Sequence, residues 1–319
     1  MTPRALIAGT GGYLPDLVLD NDALAARHGL DTSDTWIRER TGIRQRHIAA
    51  PGQQASDMGA AAARAALEQA GVPARAVDGV IVATATPDAV FPSTAARLQA
   101  QLGITTGFAF DMAAACSGFV YALSVADAMI RTGQARCILV IGAEVFSRIL
   151  DWTDRGTCVL FGDGAGAVLL RASSDVTDAE RGILSCHLHA DGQHGDILQV
   201  EGTPGLVRMS GREVFRHAVS KLASVVDEAL ERNGLDKSAV SWLVPHQANL
   251  RIIEAMGRKL GLPPDRVVVT VDRHANTSAA SIPLALAEAT RDGRIRRGDL
   301  VLMEAIGGGL TWGAALARF

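Results

Sequence analysis

Short apolar runs alternate with longer segments whose apolar residues recur at helical spacing, which predicts an α/β protein with strands buried on both faces. Ala5-Leu-Ile-Ala8 reads as a strand and Gly9-Thr-Gly-Gly12 as a tight turn after it; the third glycine of a dinucleotide fingerprint is missing and Leu14-Pro15 breaks any following helix. Asn21-Asp22 opens a helix through Arg27, and Thr35 to Gly42 forms another with Trp36 and Arg40 on one face. Ser56 to Ala70 is an alanine-rich helix, with Ser56 as N-cap and Gly71 as its stop. Val77 to Ala83 follows as a buried strand, Thr94 to Leu102 as a helix closed by Gly103, Thr106 to Phe110 as a short strand, Val120 to Ile130 as a helix and Cys137 to Gly142 as a strand. No Lys-Ser/Thr follows Gly162-Asp-Gly-Ala-Gly166, and the apolar run Ala167 to Leu170 does, so these glycines predict close-packed turning between paired strands rather than a phosphate loop.

From residue 172 to about 210 the pattern turns irregular and polar, and Ser173-Ser-Asp-Val-Thr-Asp178 marks a boundary. Beyond it the order of the first half recurs. Ala70 to Val77 matches Asn233 to Val240 in composition, and the unit from Asp111 to Gly133 matches the one from Val271 to Gly293, at an offset of about 160 residues. Two α/β halves are expected, residues 1–172 and 173–319, with one continuous doubly wound sheet as the alternative.

The halves differ in their polar residues at equivalent places. The first has Cys116 where a strand gives way to a helix; the second has His274-Ala-Asn276-Thr-Ser278 there, and His246 and Asn249 after an earlier strand. A cysteine among alanines is commonly a small buried hydrophobe, but at a helix entrance backbone N–H groups and the helix dipole favour a thiolate and can hold an oxyanion. His246 is either a locally satisfied histidine or a catalytic one, and Asn276 either an N-cap or a site residue. A two-fold relation between the halves would bring Cys116, His246 and Asn276 to one cavity. His187-x-His189 with Asp191 reads as strand alternation plus a turn aspartate, with no further metal ligands nearby. Trp36 beside Arg40 is either a surface cation–π pair or a clamp for an adenine and its phosphates. Gly307-Gly-Gly-Leu-Thr-Trp-Gly313 is either a tight turn or a device that aims backbone N–H groups at an oxyanion.

Composition narrows the field. The 319 residues, 48% of them hydrophobic, can bury a large core, and a net charge of −3 with interspersed signs gives no footprint for nucleic acid or an anionic membrane. No apolar run has membrane-spanning length and no secretory signal opens the chain, so a cytoplasmic protein is expected. Its four cysteines are too widely spaced for a disulfide framework.

Taken together, the motifs resemble the β-ketoacyl-acyl carrier protein synthase III family of the thiolase-like fold. They are Trp-Ile-x-x-Arg-Thr-Gly-Ile-Arg at 36–44, Arg46-His-Ile-Ala-Ala-Pro51, Ala-Ala-Ala-Cys-Ser-Gly-Phe at 113–119, Thr-Asp-Arg-Gly-Thr at 153–157 and Phe-Gly-Asp-Gly-Ala-Gly-Ala at 161–167, then Trp-Leu-Val-Pro-His-Gln-Ala-Asn-Leu-Arg at 242–251, Asp-Arg-His-Ala-Asn-Thr-Ser-Ala-Ala-Ser at 272–281 and the glycine run at 307–313. The resemblance spans essentially the whole chain. It implies two pseudo-two-fold-related halves in an α-β-α-β-α core, and a decarboxylating Claisen condensation of a short acyl-CoA primer, acetyl-CoA above all, with malonyl-acyl carrier protein. A 3-oxoacyl-acyl carrier protein, CO₂ and coenzyme A would result, without metal or cofactor.

By the same resemblance, Cys116 matches the nucleophile and His246 with Asn276 the pair that hydrogen-bonds the malonyl thioester oxygen. The backbone N–H groups of Cys116 and Gly308 match a second oxyanion hole. Trp36, Arg40, Arg155 and Asn249 match coenzyme A contacts, and Phe91, Phe161 and Ile306 the acyl pocket, with Phe91 reaching across a homodimer. Arg216, Arg251, Arg258 and Lys259, with Gln247 beside them, are the candidates for docking the carrier protein; Gln247 is also a candidate for orienting its loop. Ile306 departs from an expected phenylalanine and Arg212 from an expected asparagine near the pantetheine, and the stretch between His194 and Met209 is short, which bears on primer choice and on fine ligand contacts. Two other readings remain: a secondary-metabolite enzyme using the same cysteine with another acceptor, and a non-enzymatic dimer that binds acyl carrier protein.

Overall fold

The computed structural model describes residues 3–173, 181–202 and 205–319. In chain order the first half contains β1 (Ala5–Tyr13), β2 (Leu17–Asp20), α1 (Asn21–His28), α2 (Asp34–Thr41), β3 (Gln45–Ile48), α3 (Ala55–Ala70), β4 (Gly79–Ala83), α4 (Thr94–Gln101), β5 (Phe108–Met112), α5 (Gly118–Arg131), β6 (Cys137–Glu144) and β7 (Gly164–Ala172). The second contains β8 (Gly182–Ala190), β9 (Leu198–Val200), β10 (Val207–Met209), α6 (Gly211–Arg232), β11 (Trp242–Pro245), α7 (Leu250–Leu260), α8 (Val271–His274), α9 (Ser281–Arg291), β12 (Leu300–Gly307) and β13 (Thr311–Arg318).

Two large sheets form, each from one side of the irregular stretch, β1-β7-β6-β4-β5 and β11-β12-β13-β8, beside the two-stranded pairs β2-β3 and β9-β10. In the first, β4 runs parallel to both β5 and β6 while β7 is antiparallel to β1 and β6; in the second, β11 and β12 are parallel and β13 is antiparallel to β12 and β8. Helices α3 and α4 cover the outer face of the first sheet, and α6, backed by α7, covers that of the second. Between the sheets lie α5, which packs on β6 and β4 of one and β8 and β13 of the other, and α9, which packs on β1, β7 and β11. The product is the five-layer α-β-α-β-α core.

Strand alternation is real but hidden, because both faces are dry. In β4, Val80 and Val82 face the outer layer of α3 and α4 while Ile81 and Ala83 face the middle layer; in β12, Val301, Met303 and Ala305 face inward while Leu300 and Leu302 face α6. Phe119 and Leu123 of α5 are fully buried in that middle layer, each contributing about 1.5–3 kcal/mol by apolar burial.

Two glycine readings are corrected. Gly9 to Gly12 is no turn: β1 continues to Tyr13, and a Cβ at Gly11 would stand 2.1 Å from the Ala62 carbonyl of α3. Likewise Gly164 and Gly166 lie inside β7, where a Cβ on Gly166 would meet Leu284 N of α9 at 2.5 Å. Both runs are strands shaved down so that a helix can lie close. Helix α3 starts one residue earlier than expected, with Gln54 as N-cap and Asp57 completing a capping box. Of the expected boundary at 173–178, residues 174–178 lie outside the described residues.

Candidate active site

Cys116 sits in a single 3-10 turn, Ala115–Ser117, between the end of β5 and the start of α5. Ala115 has a φ of 44°, and the matching turn before α9, Ser278–Ala280, begins with Ser278 at a φ of 49°. Left-handed backbone is rare outside glycine, so its recurrence at both helix entrances is the local mark of the internal repeat. The turn is clamped from the second half. Ser117 and Thr311 hydroxyls lie 2.8 Å apart, both within reach of the Ala114 carbonyl, at 2.8 and 3.2 Å. A Cβ on Gly307 would stand 2.6 Å from Cys116 N, so only glycine lets the end of β12 approach this closely.

The helix entrance does not give a resting thiolate. Burial pushes the Cys116 thiol up to about 12, and the nearby Ser278 hydroxyl and Cys116's own N–H only partly offset it. Ser278 Oγ itself makes no hydrogen bond of normal length.

His246 follows β11, whose register sets Pro245 opposite Glu304; its N–H donates to the Glu304 carbonyl at 2.8 Å. The ring is buried, which lowers its pKa to about 3 and keeps it neutral. Its Nδ1 lies 2.6 Å from Ser281 Oγ, the first residue of α9. Asn276 is held by backbone on both sides: its N–H donates to Leu160 O at 2.9 Å and its carbonyl accepts from Gly162 N at 3.0 Å. Its Oδ1 accepts from Ser278 N at 2.8 Å, which leaves the amide NH₂ as the group available to a ligand.

All three side chains line one cavity, and Cys116 also lines a second. The larger, about 530 Å³, runs from Trp36, Arg40 and Arg155 past Arg212, Phe215 and Asn249 down to Cys116, His246 and Asn276. The smaller, about 200 Å³ and mainly apolar, continues beyond Cys116 between Phe146, Phe161, Leu198, Val200, Val207 and Gly308. Arg40 and Arg155 guanidinium carbons lie 4.4 and 5.1 Å from the Trp36 ring centre at the mouth. Phe161 lines both cavities, whereas Ile306 lines only the larger one, on its Cys116 side, and is thus placed on the approach to the cysteine rather than in the inner pocket. Phe91 lines neither and is 83% exposed in its own chain.

Gln247 is corrected as a docking residue. It is fully buried, its Nε2 donating to Pro245 O and Val268 O at 2.9 and 3.0 Å and its Oε1 accepting from Thr270 N and Val271 N at 2.8 and 3.0 Å. With all its hydrogen-bonding capacity used on backbone, it fixes the loop carrying His246. Arg216, Arg251 and Arg258 are exposed; Arg251 also donates to Glu39 O at 3.0 Å, and Lys259 is half-buried on Asp227 at 2.6 Å. Another motif residue proves structural: fully buried Arg46 donates to Asn21 Oδ1 and Val159 O at 2.8 and 2.9 Å, tying β3 to the segment before Phe161.

His187 and His189 share Glu228, at 3.2 and 2.6 Å, and among the described residues no group of three or more His, Cys, Asp or Glu is arranged for a metal. No described helix is long and apolar enough to cross a membrane. Among the buried carboxyls, Glu144 is raised to about 7 and Glu304 to about 8, in both cases chiefly by burial. Glu144 accepts from Thr86 Oγ1 at 2.6 Å and from Ala85 N at 3.1 Å; Glu304 Oε2 has no partner. Because the folded pKa of Glu304 lies above its unfolded value, its stabilising contribution is present below about 4.5 and disappears as pH rises through about 8. Glu304→Gln should therefore raise the melting temperature more at pH 9 than at pH 5; an equal shift at both would show that burial does not raise this carboxyl's pKa in the folded chain.

Comparison with known proteins decides the family. The sequence pattern described as 3-oxoacyl-[acyl-carrier-protein] synthase III matches residues 110–192, and its C-terminal counterpart matches 230–319. A β-ketoacyl-[acyl-carrier-protein] synthase III of Acidiphilium cryptum is 66% identical over 99% of both chains. The chain belongs to the β-ketoacyl-acyl carrier protein synthase III family. A synthase III relative from Granulibacter bethesdensis is 63% identical over 99% of both chains. The crystal structure of the synthase III from Aquifex aeolicus superposes with a TM-score of 0.94 at 48% identity, covering 99% of this chain and all of that one. A priming β-ketosynthase of the R1128 polyketide pathway superposes at 0.92 with 35% identity, covering 100% and 98%. The thiolase-like fold read from the sequence is thus confirmed, and the chain is a condensing acyltransferase of the synthase III type that initiates fatty-acid synthesis.

Proposed function

We propose that the chain condenses a short acyl-CoA primer, acetyl-CoA first among them, with malonyl-acyl carrier protein to give a 3-oxoacyl-acyl carrier protein, CO₂ and coenzyme A. The observation that carries this reading is the meeting at Cys116 of a long cavity with cationic and aromatic groups at its mouth and a short apolar one. A pantetheine arm in the first would deliver a thioester to the sulfur, and the acyl chain would pass into the second.

In the first step Cys116 sulfur attacks the primer carbonyl, the bond to coenzyme A sulfur breaks, and the thiol proton ends on coenzyme A. Backbone N–H groups of Cys116 and Gly308 hold the oxyanion. In the second, malonyl-acyl carrier protein occupies the vacated arm site and loses CO₂; His246 and the Asn276 amide stabilise the enolate oxygen, and its carbon displaces Cys116 from the acyl group. A neutral imidazole serves here, since it donates without competing for the proton. The reaction as written draws on no metal or cofactor.

Trp36, with Arg40 and Arg155, is assigned to the adenine and phosphates and Asn249 to the pantetheine. Arg216, Arg251, Arg258 and Lys259 are assigned to an acidic carrier-protein surface. The exposed Phe91 fits a homodimer in which it closes the partner's inner cavity, and a cytoplasmic setting belongs to the same reading. The test is mass spectrometry of Cys116 after exposure to a panel of acyl-CoA donors, followed by malonyl-acyl carrier protein. Acetyl transfer to Cys116 followed by CO₂ release and acetoacetyl product is expected. Acylation without condensation would instead favour another acceptor.

A further inference from the structure

The two ring nitrogens of His246 decide what it can do: an Nε2–H donates, whereas a bare Nε2 can accept or remove a proton. Nδ1 lies 2.6 Å from Ser281 Oγ, and that oxygen lies 3.3 Å from the backbone N of Gln247. A backbone N–H can only donate, so Ser281 Oγ accepts from Gln247. Its own proton then needs an acceptor, and His246 Nδ1 is the acceptor within reach among the described residues. The opposite arrangement, Nδ1–H donating to Ser281, would strand the serine proton at a site 2% exposed, an unmade hydrogen bond that burial makes costly. Gln247 cannot drift away to relieve this, since its side chain is tied at both ends to backbone of β11 and of the segment leading into α8.

We propose that Ser281 is a positioning residue: held by the Gln247 N–H, its hydroxyl donates to Nδ1 and fixes His246 as the Nε2–H tautomer, a donor facing the cavity that cannot take the proton of Cys116. The neutrality imposed on the ring by burial agrees with this. The inference rests on the reading of His246 as donor to the malonyl thioester, and it adds that His246 takes no part as a base in acylation. The Cys116 proton then leaves on the departing coenzyme A sulfur.

Long-range ¹H–¹⁵N NMR of histidine-labelled protein, with the His246 signal assigned by its absence in His246→Gln, reads the tautomer without any substrate. The expected result is protonation at Nε2 with a hydrogen-bonded, bare Nδ1; protonation at Nδ1 overturns the proposal. In Ser281→Ala, the Nδ1 signal should lose its hydrogen-bonded shift and malonyl-acyl carrier protein decarboxylation should fall about tenfold, while acylation of Cys116 by acetyl-CoA stays within twofold. Unchanged decarboxylation, or an equal fall in both half-reactions, overturns it. Failure of the wild-type chain to decarboxylate malonyl-acyl carrier protein would instead strike the assigned reaction and leave the tautomer measurement standing.

Discussion

Cys116→Ala is expected to abolish acyl transfer and condensation, by at least ~10⁴-fold, while leaving decarboxylation of malonyl-acyl carrier protein measurable. The nucleophile is needed for the covalent intermediate, but the enolate is formed against other groups. Cys116 is buried where two cavities meet, and an alanine there removes the sulfur without filling either. Stopped-flow or mass-spectrometric detection of the acyl-enzyme, with CO₂ release followed separately, measures both halves. Condensation within tenfold of wild type, or an acyl adduct on another residue, would show that the reaction does not pass through this sulfur.

His246→Ala should invert that pattern. Loss of one preorganised donor costs about 10²–10³ in rate where charge develops, so decarboxylation should drop by that factor. Acylation of Cys116 should change by less than about threefold, because its oxyanion is held by backbone N–H groups. The ring is buried and neutral, with its pKa lowered to about 3, so the loss should be independent of pH between 6 and 8; a titration in that range would mean the imidazole works as an acid or base. Equal damage to both half-reactions would remove the division between Cys116 and the His246–Asn276 pair.

The large features of this molecule are local in sequence. Strands such as β4 and β6 are apolar runs in the sequence, and the strand-to-helix turn at Cys116 has its echo at Ser278, so the α/β layers and the placement of the nucleophile could be read before the structure. The inner pocket could not. Phe146, Leu198, Val200 and Val207 line it, yet they have the composition of ordinary core, and β9 and β10 are three residues each, too short for a periodic signal. Glycine also misled, since its absence of a side chain serves a turn and a tightly covered strand equally; Gly11 and Gly166 are of the second kind. Gln247 has the formula of a surface residue and the surroundings of a core one, because four backbone groups happen to converge on its amide. Ser281 gives no local sign at all: its partner is 35 residues away in sequence, brought near by the packing of α9.

The middle layer bears on how the chain holds together under stress. Helices α5 and α9 are each enclosed by strands of both sheets, so unfolding either sheet strips cover from a helix that the other still needs. The turns bearing Cys116 and Asn276 are attached to that layer, and the catalytic geometry should persist until the entire molecule melts in one cooperative transition, without a partly active intermediate on the way.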